Sequence, residues 1–335
     1  MKEKIRVGIN GFGRIGRALT AILLADERFE VAAINDVASP EIMAHLYRFD
    51  SIHGQRAKHT AHTEESIVID GKTIPYSRVL NPHDIAWPSH RVDYVVECTG
   101  QFKTHETLQH HLKPGVKRVL LSVPPEDDTI PTVVLGINEH LISANHKIIS
   151  NASCTTNNAA PMIQLIDEIC GIESCYISTV HSYTGDQRLH DSPHSDLRRS
   201  RGALQSIIPT STGAAKALTR VFPHLKEKMG GCGFRVPVPD GSLTDITCNV
   251  RSTASIEVIN ETFRKAAETR WPGILAYTDD PIVSSDVIGQ PYSCIVDSRL
   301  TSVIGQMVKV VGWYDNEIGY SHRLRDMLHI LSKGE

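Results

Sequence analysis

The sequence lacks any C-x-x-C pair, and its seven cysteines, at 98, 154, 170, 175, 232, 248 and 294, make an odd total. A disulfide framework is therefore not expected, and the thiols suit a reducing compartment. There is no apolar run long enough to span a bilayer. Met1-Lys2-Glu3-Lys4 leads straight into a short strand without a secretory h-region. The expectation is a cytoplasmic protein with no membrane partner. Excess basic charge is missing too: the formal net charge is −3, which argues against a nucleic-acid binder of the basic kind. Repeats, low-complexity tracts and linkers are absent. Two metal or nucleotide motifs nearly occur and fail. Gly71-Lys72-Thr73 resembles the tail of a P-loop, but Ser66 stands where the earlier glycine belongs. His105-Glu106-Thr107-Leu108-Gln109 has glutamine where a zinc helix needs its second histidine. No metal is assigned.

What is present is 335 residues of ordinary globular composition, 41% hydrophobic and 22% charged, enough for two domains. Ile5-Arg6-Val7-Gly8-Ile9 reads as a buried strand. Gly11, Gly13 and Gly16 follow with G-x-G-x-x-G spacing, then an apolar helix over 18–24. Such glycines allow a tight turn, close approach of a pyrophosphate to the backbone, and close helix–strand packing. A second strand over 30–34 ends at Asn35-Asp36. Asp36 lies twenty residues past Gly16, where an acid bonds the adenosine ribose. A carboxylate there repels a 2′-phosphate, so the expected cofactor is NAD rather than NADP.

The alternation continues through a hairpin over 67–74 with an Asp70-Gly71 turn, a strand over 93–97, a helix around 103–112 and a strand over 119–122. Strands alternating with helices indicate a doubly wound parallel sheet. Thr99, Gly100 and Ser122 stand at strand ends, where ligands lie; turn chemistry accounts for them equally well.

Ser150-Asn151-Ala152-Ser153-Cys154-Thr155-Thr156-Asn157-Asn158 then joins a β-branched run to a helix containing Met162, Ile163 and Ile166. Ser153 is an N-cap, which sets the Cys154 sulfur over the first free N–H groups, where a thiolate is stabilised. Pro161 is expected to kink or restart this helix. A strand over 175–180 ends in His181, a general base if it meets Cys154 in space. The loop from Gly185 to Arg201 carries Arg198, Arg199 and Arg201: a solvated loop, a subunit contact or an anion site. Thr210-Ser211-Thr212-Gly213 precedes an alanine-rich helix and offers N-terminal amides to an anion, or simply caps it. Alternating strands over 243–250 and 307–313, and a closing amphipathic helix, complete a more antiparallel half. The boundary falls near residue 152.

Six motifs in order resemble phosphorylating glyceraldehyde-3-phosphate dehydrogenases along essentially the whole chain. They are Asn10-Gly-Phe-Gly-Arg-Ile-Gly-Arg17, Ala152-Ser-Cys-Thr-Thr-Asn157, Thr179-Val-His-Ser-Tyr-Thr184, Ser211-Thr-Gly-Ala-Ala-Lys216, Phe234-Arg-Val-Pro237 and Trp313-Tyr-Asp-Asn-Glu317. The resemblance implies an α/β fold. A Rossmann-type doubly wound parallel sheet would occupy 1–152, with helix 316–335 packing back on it. An α+β catalytic domain with a mostly antiparallel sheet would occupy 153–315, and the protein would be a homotetramer. It implies Cys154 as nucleophile and His181 as its base. Arg14, Ile15, Asp36, Arg78, Ser122 and Asn316 fall where that family contacts NAD. Thr184 and Arg235 fall where it holds the substrate phosphate; Ser153, Thr155, Arg199, Thr212 and Gly213 fall at or near its second phosphate. The implied activity is the NAD-dependent oxidation of glyceraldehyde 3-phosphate, with inorganic phosphate, through a Cys154 thioester, in glycolysis or gluconeogenesis. Erythrose-4-phosphate dehydrogenase is the close alternative, disfavoured by the intact 211–216 loop; a non-catalytic cofactor-binding role is the other. Asn158, the run Pro239-Asp240-Gly241-Ser242 and a short 297–308 segment depart from the family pattern.

Overall fold

The computed structural model describes residues 3–333, and the chain divides into two units. The first takes in the chain through Val133, His140–Ala152 and everything from Ser321 on; the second takes in Val134–Glu139 and Ser153–Tyr320. No helix among the described residues is long and apolar enough to cross a membrane.

In the first unit, Ile5–Asn10 lies in the middle of an eight-stranded sheet. Phe29–Asn35 and then Lys72–Ser77 extend it on one side; Tyr94–Glu97, Arg118–Leu121 and Ile148–Ser150 extend it on the other, all parallel. Two antiparallel strands, Ser66–Ile69 and Thr60–His62, finish the first edge. Parallel strands are covered on both faces, which is why they read as unbroken apolar runs; Val7, Ile9, Val95, Val96 and Val119 have no exposed surface. Strand order reverses beside Ile5–Asn10, and a crevice opens at such a switch point. The expected hairpin forms, with Asp70 and Gly71 both at positive φ (45° and 84°) in the mirror-image turn that suits strand twist.

The glycine loop is held by contact. Gly11 has φ +93°, and a Cβ on Gly16 would lie 2.1 Å from the Gly11 carbonyl oxygen. Only a bare backbone at Gly16 lets the helix Arg14–Leu24 sit this close to the strand. The helix expected around 103–112 is shorter: His105–Leu108 is α-helical and Gln109–His111 is a tighter 3-10 turn. Lys113-Pro114-Gly115 follows, and a proline disfavours helix in the residue before it.

The second unit is built on another eight-stranded sheet. Its path is Ile208–Thr210, Met229–Val236, Ile172–Ser182, Ser242–Val250, Met307–Tyr314, Cys294–Asp297 and Leu275–Thr278, with Ser302–Ile304 alongside Met307–Tyr314. Most pairings are antiparallel; Ile172–Ser182 with Met229–Val236, and Leu275–Thr278 with Cys294–Asp297, are parallel. Along Ser242–Val250 every second residue is buried, including Ile246, Cys248 and Val250. The helix Cys154–Cys170 packs on this sheet.

Pro161 neither breaks nor restarts that helix, which runs through it for seventeen residues. An interior proline costs about 3 kcal/mol. Met162, Ile163 and Ile166 are fully buried beside it, at about 1.5–3 kcal/mol each, so packing outweighs the lost hydrogen bond. The departures at 239–242 and 297–308 also have local reasons. Gly241, at φ +84°, passes so near the Ser284 carbonyl that a Cβ would lie 2.2 Å from its oxygen. The second segment is a tight hairpin that turns at Gly305, φ +57°.

Candidate active site

Cys154 is the first residue of its helix. Ala152, just before the cap, takes φ +56°, a left-handed conformation that costs a non-glycine residue about 1–2 kcal/mol. Ser153 caps the helix by accepting from Thr156 N–H at 3.1 Å. His181 is the penultimate residue of Ile172–Ser182, not a residue beyond it, and its register partner on the neighbouring parallel strand is Arg235. The sheet therefore presents the imidazole and the guanidinium side by side.

The geometry follows from that register. Cys154 Sγ lies 3.5 Å from His181 Nε2. His181 Nδ1 lies 2.8 Å from the Ser182 carbonyl oxygen, and Arg235 Nη1 lies 2.9 Å from the same oxygen and 2.8 Å from Nδ1. With the Nδ1 proton donated to Ser182, the Nε2 lone pair faces the sulfur, the tautomer a general base needs. Tyr314 stands edge-on to the imidazole at 6.0 Å, and its hydroxyl meets Thr155 Oγ1 at 2.9 Å. Tyr314 was not among the expected site residues; an aromatic inside an apolar strand reads as core.

Charge decides the resting state. Burial, then the Arg235 charge, hold His181 down to about 3, against a smaller opposing effect of the Ser182 carbonyl. Desolvation pushes the Cys154 thiol above its usual range, although Arg235 and the Thr155 hydroxyl and N–H pull it down. The helix terminus thus acts in the expected direction, but burial wins. The pair rests as neutral thiol and neutral imidazole, and the proton must move as the sulfur attacks.

Arg235 is half-buried and has no carboxylate partner among the described residues. Burial and the nearby Arg199 charge lower its pKa. Arg199 is tied by Nη1 to Asp186 at 2.8 Å and by Nε to Thr210 Oγ1 at 2.9 Å. Asp186 had no sequence signal beyond loop polarity, whereas Thr210 opens the hydroxyl-rich run before the alanine-rich helix. Two guanidinium groups, one uncompensated, make a place for an anion. Thr212 caps the helix Gly213–Val221 by accepting from Ala214 N–H, and Thr184 follows His181 past the strand end. Among the described residues, Thr184, Thr212 and Gly213 make no hydrogen bond to Cys154, His181 or Arg235. Asn316 accepts from Ser182 Oγ and Ser242 Oγ, both at 2.8 Å, through its Oδ1, which leaves its NH2 as a donor toward a ligand.

In the first unit a cleft of about 730 Å³ is lined by Gly11, Gly13, Asp36, Val79 and Thr99, among others. Its residues fit a dinucleotide. Nothing lies within 4 Å of the Cβ position of Gly13, so a pyrophosphate has room at the backbone. Arg14 and Ile15 open the helix, where first-turn N–H groups lack intrahelical acceptors. Asp36 accepts from Phe12 N–H at 2.6 Å and Ala38 N–H at 3.0 Å, which aims the carboxylate beside the loop. Arg78 lies over the Val37 carbonyl at 3.3 Å. Ser122 is buried at its strand end, where its N–H donates to the Glu97 carbonyl and its side chain meets Cys98.

Residues 5–105 match the family model for the NAD binding domain of glyceraldehyde 3-phosphate dehydrogenase, and residues 153–316 match the model for its C-terminal domain. Glyceraldehyde-3-phosphate dehydrogenase 2 of Streptomyces avermitilis is 49% identical over 326 residues, covering 96% of this chain and 97% of that one. Glyceraldehyde-3-phosphate dehydrogenase 2 of Bacillus subtilis is 44% identical over 333 residues, 98% of each chain. The Geobacillus stearothermophilus enzyme is 45% identical over 333 residues, 98% of this chain and 99% of its own.

Proposed function

The chain belongs to the glyceraldehyde-3-phosphate dehydrogenase family, and from that premise we propose how its residues carry out the reaction. The activity is the NAD-dependent, phosphorylating oxidation of glyceraldehyde 3-phosphate in glycolysis. The observation that carries the site assignment is the thiol–imidazole pair at 3.5 Å beside the uncompensated Arg235.

Arg235, with Thr184, holds the phosphate of the substrate, which supplies the missing counter-charge. The Cys154 sulfur attacks the aldehyde carbon while His181 Nε2 takes the thiol proton and returns it to the carbonyl oxygen, giving a thiohemiacetal. NAD, when bound, would supply the acceptor for the hydride of that carbon. His181 Nε2 removes the hydroxyl proton in the same step, leaving a thioester on Cys154. Inorganic phosphate, held by Ser153, Thr155, Thr212 and Gly213 with Arg199 nearby, attacks the thioester. The acyl phosphate departs and the sulfur recovers its proton from His181. In the first unit Gly11, Gly13, Gly16, Arg14 and Ile15 cradle the pyrophosphate, Asp36 holds the ribose, and Arg78 and Ser122 flank it. Asn316 offers its NH2 to the cofactor. The domain reading is a cofactor domain over 1–152, with helix 316–335 belonging to it, and a catalytic domain over 153–315. A cytoplasmic homotetramer is part of the same proposal.

The test is NADH formation from glyceraldehyde 3-phosphate with and without inorganic phosphate, with erythrose 4-phosphate in parallel. Strong phosphate dependence with the triose is expected. Phosphate-independent turnover favouring the tetrose would replace the reading with hydrolysis of the thioester. No turnover despite NAD binding would favour a binding role.

Cofactor choice gives a second expected result. Two unit charges 4 Å apart repel by about 1 kcal/mol in water and about 4 near a protein surface. Arg78, exposed beside Val37, offsets part of the Asp36 charge. The kcat/KM ratio for NAD over NADP should be about tenfold or more, and Asp36→Ala should shrink it. Equal efficiencies in the parent chain would refute the role given to Asp36.

A further inference from the structure

Behind the cofactor cleft runs an unbroken chain of buried polar side chains. Asn10 and Glu97 end neighbouring parallel strands and are register partners. Glu97 and His111 have no exposed surface, and Asn10 and Asn35 are each 2% exposed. Glu97 Oε2 accepts from Asn10 Nδ2 at 2.5 Å and lies 3.1 Å from His111 Nε2. Its Oε1 accepts from Thr99 N–H at 2.7 Å and from the Thr99 hydroxyl. Beyond Asn10, the Asn35 Nδ2 donates to Asn10 Oδ1 at 2.8 Å. Asn35 Oδ1 in turn accepts from Ser77 Oγ at 2.7 Å and Val79 N–H at 3.0 Å. On the other side Trp87 Nε1 lies 3.0 Å from His111 Nδ1.

The two ends of this chain are donors that cannot be reversed. An indole N–H only donates, so His111 Nδ1 accepts and Nε2 carries the proton toward Glu97. A backbone N–H also only donates, so Val79 fixes which end of the Asn35 amide faces it. That fixes Asn10 in turn. At each side-chain link the donor therefore points toward Glu97, and both of its carboxylate oxygens accept. Among the described residues its partners are amides, a hydroxyl and an imidazole. Asn10, Asn35, Val79 and Thr99 all line the cleft.

We propose that Glu97 is a positioning residue for the cofactor: its buried carboxylate sets the direction of the whole chain and so fixes the floor on which NAD lies. It touches neither the cofactor nor the substrate. The inference rests on NAD occupying this cleft. A glutamine at 97 turns one acceptor into a donor. The resulting clash could be relieved on the Asn10 side only by turning Asn10 and Asn35 in sequence, and that run of turns ends against the Val79 N–H. The lost register appears as a looser floor.

The experiment is calorimetric titration of the full chain with NAD, alongside the alkylation rate of Cys154 by iodoacetamide and the melting temperature. Glu97→Gln should weaken NAD binding about tenfold and leave Cys154 alkylation within about twofold. His111→Gln, which keeps one acceptor for Trp87 and one donor for Glu97, should bind NAD like the parent. His111→Leu, which keeps neither, should bind about threefold more weakly. A folded Glu97→Gln chain with parental NAD affinity would overturn the proposal. If that variant does not fold, equal affinity in the two His111 variants would overturn it instead. Failure of the parent chain to bind NAD would strike the cofactor reading itself.

Discussion

Replacing Cys154 with serine is expected to abolish NADH formation, by about 10⁴-fold or more, while the dissociation constant for NAD stays unchanged. Both covalent intermediates form on this sulfur, and a serine hydroxyl differs from it in two ways that matter here. Its proton is far harder to remove, and the base in reach is an imidazole held at about 3 by burial and the Arg235 charge. That base is strong enough for a thiol attacking in concert and too weak for an alcohol. The shorter C–O bond also draws the nucleophile back from the 3.5 Å approach that the sulfur makes to His181 Nε2. A serine ester, if formed, would resist phosphate more than a thioester does. Gly11, Gly13, Asp36 and Thr99 line the cofactor cleft of the first unit, and Cys154 does not line it. Calorimetry with NAD and a spectrophotometric assay on the same preparation decide the matter. Turnover retained within tenfold, in a chain shown by mass to carry serine, would sink Cys154 as the nucleophile.

The cofactor half could be read from sequence because each of its signals is local. The strand Ile5–Asn10 is an unbroken apolar run, the three glycines follow it at once, and Asp36 ends the next strand. The Cys154 turn was equally legible, since its cap spans only three residues, from Ser153 Oγ to Thr156 N–H. What stayed hidden depends on register between distant segments. Cys154 and His181 stand 27 residues apart, and their meeting needs the helix to lie on a sheet whose strand order no local pattern announces. Arg235 faces His181 only because Ile172–Ser182 and Met229–Val236 pair in parallel. Its lack of a carboxylate partner, the feature that makes it an anion site, has no expression in sequence at all. Pro161 misled for the converse reason: a local rule that holds for isolated helices lost to the burial of Met162, Ile163 and Ile166. Glu97 escaped notice because a single polar residue closing an apolar strand looks like the start of a turn.

His181→Asn should lower kcat by about 10²–10⁴, the usual reach of general acid–base catalysis, and should change how Cys154 responds to pH. Asparagine keeps a polar side chain in the pocket but has no basic nitrogen to take a proton. In the parent, His181 is neutral at any pH well above 3, so a base is present throughout the neutral range. The thiol proton then has a local acceptor, and the thiolate–imidazolium pair it forms, 3.5 Å apart, is held by about 4 kcal/mol of attraction at a protein-surface dielectric, so iodoacetamide alkylation of Cys154 should depend less on pH between about 6 and 8 than it does in the variant. In the variant the thiolate forms only by loss of the proton to solvent. The Cys154 pKa is raised above its ordinary 9.0 by desolvation, so at lower pH the thiolate fraction falls tenfold for each unit. The alkylation rate should accordingly climb about tenfold per pH unit across the same interval. Arg235 still favours the thiolate in both chains, so the contrast isolates the imidazole. A parent and variant with the same slope against pH would show that His181 is not the acceptor of the Cys154 proton, whatever the loss in turnover.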